Sequence, residues 1–254
     1  MKTLTISKEY LDIINQYANL KLENKEITVP YLINKKNNKD LRVMVGKGNP
    51  EEIKMEAKIW EKLKGLDFNI MSREEIKQFL TDKRIGIDCS GFIVQTLDLL
   101  YLMKYKKHIF NKFNIGTKNI LSILRFKLRP VENLGADLIT NKDNTDIIEV
   151  SNVKPYDLIR SKAASKLGDH VMIVTKVDYD DNNLPVKIEY VHSTPHFGDL
   201  NGIKFGEIKI RAPRRGLEEQ EWLETDIKGK STTYEGYITH TNDNGIRRLK
   251  FKLD

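Results

Sequence analysis

The sequence predicts an α+β fold, with helices packed on an antiparallel β-sheet. Up to about residue 106, apolar residues recur at spacings of three and four behind helix-capping residues. After Val150 they alternate, or run in β-branched blocks between turn residues. The blocks Val171–Val177 and Val186–His192 flank Asp178–Pro185, a stretch of turn chemistry, and so read as a hairpin. Helices first and strands afterwards is the segregated order of an α+β arrangement.

Ser7 caps a first helix over about 7–21, with Tyr10, Leu11, Ile14, Tyr17 and Ala18 on its apolar side. Asn24 to Asp40 is polar and loop-like, and Leu41–Val45 reads as a short strand. The following Gly46-Lys47-Gly48 lacks the Lys-Ser/Thr ending of a phosphate loop. With Asn49 as cap, Pro50 at the first helical position and two acids next, it reads as a helix start. That helix turns Ile53, Ala57, Trp60 and Leu63 inward. Ser72-Arg73-Glu74-Glu75 is a capping box for another helix ending near Asp82.

A fourth helix starts at Cys89 behind the caps Asp88 and Ser90 and runs to about Lys106, with one buried stripe. Residues 1–84 form a helical segment packed on a core of 85–254, which carries a basic insertion at about 104–150 with a short helix near Lys118–Phe126. The later strands are placed at Gly206–Arg211, Tyr234–His240 and Arg247–Leu253.

Composition narrows the function. The 254 residues fit one large domain or two small ones, and 39% apolar residues can supply a sizeable core. A single cysteine excludes an intrachain disulfide framework and a multi-cysteine zinc site. The first ten residues hold no apolar core of signal-peptide length, and nothing approaches the ~18 apolar residues of a membrane span. The expectation is a soluble chain, cytoplasmic by default or exported by a non-classical route. Between Lys104 and Arg129 lie eight basic residues and no acid. That stretch reads as a solvated face, or as a surface suited to an anionic polymer such as nucleic acid, teichoic acid or lipid headgroups.

Cys89 is the natural nucleophile. A free thiol titrates near ~8.5, and a helix N-terminus lowers that value. A thiol nucleophile needs a base and a group that orients the base. Of five histidines, His170 opens the better strand and His192 ends its partner. His192 shares a strand face with Val186, Ile188 and Tyr190, the set expected to face the core. Paired as a hairpin, the two strands bring both rings to neighbouring positions, and Cys89 on a helix packed there completes Cys–His–His. His108, His196 and His240 lie in the insertion or near loops. One cysteine and no His-Glu-x-x-His speak against zinc.

Asp88-Cys89-Ser90-Gly91-Phe92 resembles the signature of NlpC-type cell-wall endopeptidases, a branch of the papain-like cysteine peptidases. Pro155-Tyr156-Asp157-Leu158 resembles that family's Pro-Gly-Asp-Leu turn, with Tyr156 in place of glycine. His170-Val171-Met172-Ile173-Val174 and Tyr190-Val191-His192-Ser193 resemble its two histidine segments. The resemblance covers about residues 85–195. It implies a papain-like fold without metal or cofactor. It also implies hydrolysis of the amide between γ-D-glutamyl and diaminopimelate or lysine in peptidoglycan stem peptides.

By resemblance Cys89 is the nucleophile, His170 the base and His192 the orienter, while Asp88 and Ser90 match positions that hold the substrate amine in some members. The family's tyrosine ahead of the signature has its nearest match in Pro30-Tyr31, 58 residues before Cys89. The gap of 81 residues from Cys89 to His170 is longer than the family's usual spacing. Two other readings stay open: the same thiol chemistry on a non-wall amide or acyl bond (deamidation or acyl transfer), and a non-catalytic binder of an anionic polymer.

Overall fold

The computed structural model of the chain describes residues 1–33, 40–162, 169–195, 201–239 and 243–253. His196 and His240 lie outside them. Strand β1 (Lys2–Thr5) leads into α1 (Lys8–Ala18), then a small hairpin of β2 (Leu20–Leu22) and β3 (Lys25–Ile27). Helices α2 (Pro50–Leu63), α3 (Arg73–Asp82) and α4 (Cys89–Tyr105) follow. Three shorter helices come next: α5 (Ile120–Leu128), α6 (Pro130–Asn133) and α7 (Ala136–Thr140). The second half supplies β4 (Thr145–Ile148), β5 (Leu158–Ser161), β6 (His170–Tyr179), β7 (Pro185–Thr194), β8 (Gly202–Lys209), β9 (Glu221–Trp222), α8 (Thr232–Ile238) and β10 (Gly245–Leu249). The fold is α+β.

The helix starts follow their capping chemistry. The Ser7 side chain accepts from the Tyr10 N–H, and Asn49 with Glu52 and Ser72 with Glu75 form complete capping boxes. Each cap is worth about 1 kcal/mol. Only α4 departs from the one-stripe pattern, because residues Cys89 to Asp98 are buried on every side. It packs between α1 and the sheet, with Tyr17 edge-on to Phe92 and the Tyr10 hydroxyl 2.9 Å from Thr96 Oγ1.

Eight strands form one antiparallel sheet in the order β4-β10-β5-β6-β7-β8-β9, with β1 pairing alongside β6. The β6–β7 hairpin turns where Asp180 accepts from the Asn182 and Leu184 N–H groups and Asn183 adopts a φ of 58°. The sheet is covered on both faces. Val171, Ile173 and Val191 join the core around α4, whereas Met172, Val174, Ile188 and Tyr190 join a second core with Trp222 and Tyr237. This is why 171–174 is an unbroken apolar run.

Four expectations are corrected. Leu41–Val45 is no strand, since Arg42–Val45 forms a 3₁₀ turn closed by Gly46 at a φ of 75°. Tyr234–His240 is no strand either: residues 232–238 are α8, which turns Tyr237 into the second core. In α2, Leu63 is exposed and Trp60 half-buried, because Ile53, Ala57 and Glu61 line the inner face. The insertion ends earlier than 150, since β4 is zipped onto β10 as part of the main sheet.

The turn before β5 carries an unusual residue. Tyr156, standing where the resembled turn has glycine, has a φ of 72°. A left-handed tyrosine costs on the order of 1–2 kcal/mol. Its ring packs on Tyr10, 5.3 Å between centroids, and its hydroxyl accepts from the Ser7 N–H at 2.8 Å, which offsets that strain. The turn is clipped to β6 through Tyr156 N–H to Val174 O and Val174 N–H to Asp157 O. Tyr156→Phe removes the acceptor for Ser7 and should destabilise the chain by about 1 kcal/mol in urea unfolding. An unchanged midpoint would refute this account of the turn.

Candidate active site

The site forms where three distant segments meet ahead of α4. Ile87 bridges Tyr31 on one side and Lys47 on the other. Ile87 N–H donates to Pro30 O, Leu32 N–H to Ile87 O, and Asp88 N–H to Gly46 O. A side chain at Gly91 would collide with the Gly46 carbonyl, so the signature glycine is required by the closeness of this loop.

Asp88 is the N-cap. Its Oδ1 accepts from the Gly91 N–H at 2.6 Å, from Ser90 Oγ at 3.0 Å and from Lys47 Nζ at 2.9 Å. Lys47 also reaches Ser90 Oγ at 2.5 Å and the Leu134 carbonyl at 3.4 Å. All three side chains are buried. Asp88 and Ser90 therefore face Lys47 and the helix end, and their placement is that of a cap. Lys47 escapes a sequence reading because its glycine-flanked setting is fully explained as a helix start.

Cys89 is 5% exposed. Its thiol donates to the Asp169 carbonyl at 3.8 Å, and the Val171 N–H points at the sulfur. The sulfur thus lies against the strand backbone on both sides of His170. Burial pushes the thiol up from 9.0 to about 12, and the Asp88 charge adds to the rise; Lys47 and the N–H groups of Val171 and Ser90 oppose it. The expected lowering by the helix end is overturned, because desolvation of the sulfur outweighs it.

The two histidines meet. His170 Nε2 lies 2.7 Å from His192 Nδ1, and His192 Nε2 lies 2.9 Å from Glu224 Oε1. Tyr190 donates its hydroxyl to Glu224 Oε2. His192 is fully buried and alternates with Ile188 and Tyr190, so it shares the face of the second core, opposite α4. Burial works against the Glu224 charge, but His192 and Tyr190 together hold its carboxyl below the usual value. Glu224 lies 32 residues beyond His192, just past the two-residue β9, and no sequence pattern singles it out.

That carboxylate orders the chain of protons. An ionised Glu224 accepts, so His192 Nε2 donates. In the imidazole tautomer with its proton on Nε2, His192 accepts at Nδ1, and His170 Nε2 then donates. The lone pair of His170 is left on Nδ1. Glu224 thereby sets the tautomer of a histidine it does not touch.

Tyr31 is brought close despite its separation in sequence. Burial raises its hydroxyl well above the ordinary tyrosine value, and the charges of Cys89 and Asp88 add to the rise. It stays a protonated phenol at ordinary pH. His108 is elsewhere, with Nδ1 2.8 Å from the buried Asp98. Among the described residues no three His, Cys, Asp or Glu side chains are grouped to hold a metal ion, and no helix is long and apolar enough to cross a membrane. Comparison with protein-family models, with curated proteins and with solved structures yields no match.

The raised thiol has a thermodynamic sign. The unfolded chain gives up this proton near pH 9.0, while the folded chain keeps it to about 12. Stability is therefore full below about pH 9 and declines as pH rises through that window. The melting temperature should fall between about pH 9 and 10, and less steeply for Cys89→Ser. Parallel slopes would contradict the burial assigned to the sulfur.

Proposed function

We propose that this chain is a papain-like cysteine peptidase or amidase, related to the NlpC-type endopeptidases. Its substrate in this reading is the γ-D-glutamyl amide of a peptidoglycan stem peptide, and resemblance alone supplies that choice. The observation that carries the chemistry is the ordered His170–His192–Glu224 chain at the strand end where the Cys89 sulfur rests.

At rest the sulfur is a thiol. His170 Nδ1 takes its proton as the sulfur attacks the carbonyl carbon, and the imidazolium so formed is stabilised through His192 by the Glu224 charge. Cys89 is the first residue of α4, so its backbone N–H has no acceptor within the helix and is available to the tetrahedral oxyanion. His170 returns the proton to the departing amine, which leaves an acyl-enzyme. A water deprotonated by the same ring then releases the acid and restores the thiol. In this reading Asp88, Ser90 and Lys47 frame the nucleophile, and the Tyr31 phenol is a substrate contact.

Hydrolysis of a γ-D-Glu-diaminopimelate stem peptide, followed by chromatography, tests this reading. Cys89→Ala and His170→Ala should each lower turnover by about a thousandfold or more. Full hydrolysis by Cys89→Ala would end the proposal. Amine release from protein glutamines, dependent on Cys89 and without stem-peptide cleavage, would move the chemistry to deamidation or acyl transfer.

Glu224→Gln separates the relay from simple packing. The amide keeps the shape but loses the charge that supports the imidazolium. We expect kcat to fall by roughly tenfold to a thousandfold with little change in KM, and the acid limb of the pH profile to move downward. An unchanged pH profile would reduce Glu224 to a structural partner.

A further inference from the structure

The helix α5 has two unlike faces. Phe126 is buried and Ile123 half-buried on its inner side. Ile120, Leu121, Leu124 and Leu128 are exposed to 79%, 76%, 51% and 71%. At about 100° per residue these four fall within one arc of about 100°, turned away from Phe126. Lys127 and Arg125 border that arc, one on each side. An aliphatic ridge of four residues left in water on a nine-residue helix is not what core packing demands.

The ridge sits in the most basic part of the chain. Lys104, Lys106, Lys107, Lys112 and Lys118 are all exposed, and no acid occurs between Lys104 and Arg129. Helix α5 runs beside the last turns of α4, where Leu99, Leu102, Phe110 and Phe126 line one groove. Closest to the outward arc in position are Arg125 and Lys127 on the helix itself and the exposed Lys118 just ahead of its first turn.

We propose that α5 docks this protein on an anionic lipid bilayer, with Ile120, Leu121, Leu124 and Leu128 entering the interface. The neighbouring lysines and arginines meet the headgroups. An interfacial helix needs this combination of an apolar arc and a cationic border, and the two attractions add. A second copy of the chain is a poor occupant, because a twofold contact would set this acid-free basic patch against itself. A nucleic acid would answer the charge, but it would leave four aliphatic side chains without a partner.

The test is flotation of the whole chain with vesicles of phosphatidylcholine containing about a third phosphatidylglycerol, against phosphatidylcholine alone. Binding is expected to the anionic vesicles only, and added salt should weaken it. The double variant Leu121→Ser, Leu124→Ser should weaken binding by at least about tenfold, as should Arg125→Glu with Lys127→Glu. These side chains are exposed, so an unchanged melting temperature will show that the fold is retained.

Equal binding to neutral vesicles, no binding to anionic ones, or wild-type binding by the serine variant would each overturn the proposal. So would a dimer in sedimentation velocity that Leu124→Ser dissolves. Since none of these residues belongs to the Cys89 site, stem-peptide hydrolysis in the absence of vesicles should be the same in both variants.

Discussion

One carboxylate oxygen holds the site together. Asp88 Oδ1 receives the Gly91 N–H, the Ser90 hydroxyl and the Lys47 ammonium in a place closed to water. A buried ammonium or carboxylate left alone would carry a penalty of several kcal/mol. Here the two neutralise each other, and the other Lys47 contacts go to Ser90 and the Leu134 carbonyl. The consequence is positional. The Gly46–Gly48 loop is clamped to the first turn of α4 so closely that residue 91 has to be glycine, and the sulfur next door is held against β6.

The sulfur and the histidine chain are opposite answers to burial. For the thiol, loss of water favours the neutral form: a rise from 9.0 to about 12 corresponds to roughly 4 kcal/mol, more than the ~0.3–2 kcal/mol that a helix end supplies. For Glu224, burial is overcome by His192 and Tyr190, and the carboxyl stays charged. The two groups lie at the same strand end: the sulfur rests on the Asp169 carbonyl just ahead of His170, whose ring is linked through His192 to the Glu224 carboxylate. In the reading proposed above, the charge formed on His170 would find its counter-charge two rings away.

Local chemistry was legible wherever a few adjacent residues decide the outcome. The capping residues Ser7, Asn49, Ser72 and Asp88 all start helices, and the Asp180–Leu184 turn joins β6 to β7. Reading failed where a short segment borrows its partners from far away. The strands β1, β4 and β5 have four residues each, and they exist because β6 and β10 offer edges to them. Arg42–Val45 has the composition of a strand but pairs in neither sheet among the described residues, and it coils into a 3₁₀ turn.

Sequence by itself settled the helix starts, the central hairpin and the α+β class, each through periodicity or through side chains reaching their own backbone neighbours. It also named Cys89, His170 and His192 as candidates, by strand phase and by resemblance. Tertiary structure decided the rest: that residues Cys89 to Asp98 of α4 are buried, that Tyr31 pairs with Ile87 just ahead of the cysteine, and that Lys47 and Glu224 join the candidate site. Those facts arise from contacts between segments 32 to 86 residues apart, brought together by the packing of α1 on α4, by bridges to Ile87 and by the pairing of β7 with β8 and β9. Desolvation was decided there too, because how much water a sulfur loses depends on everything packed around it.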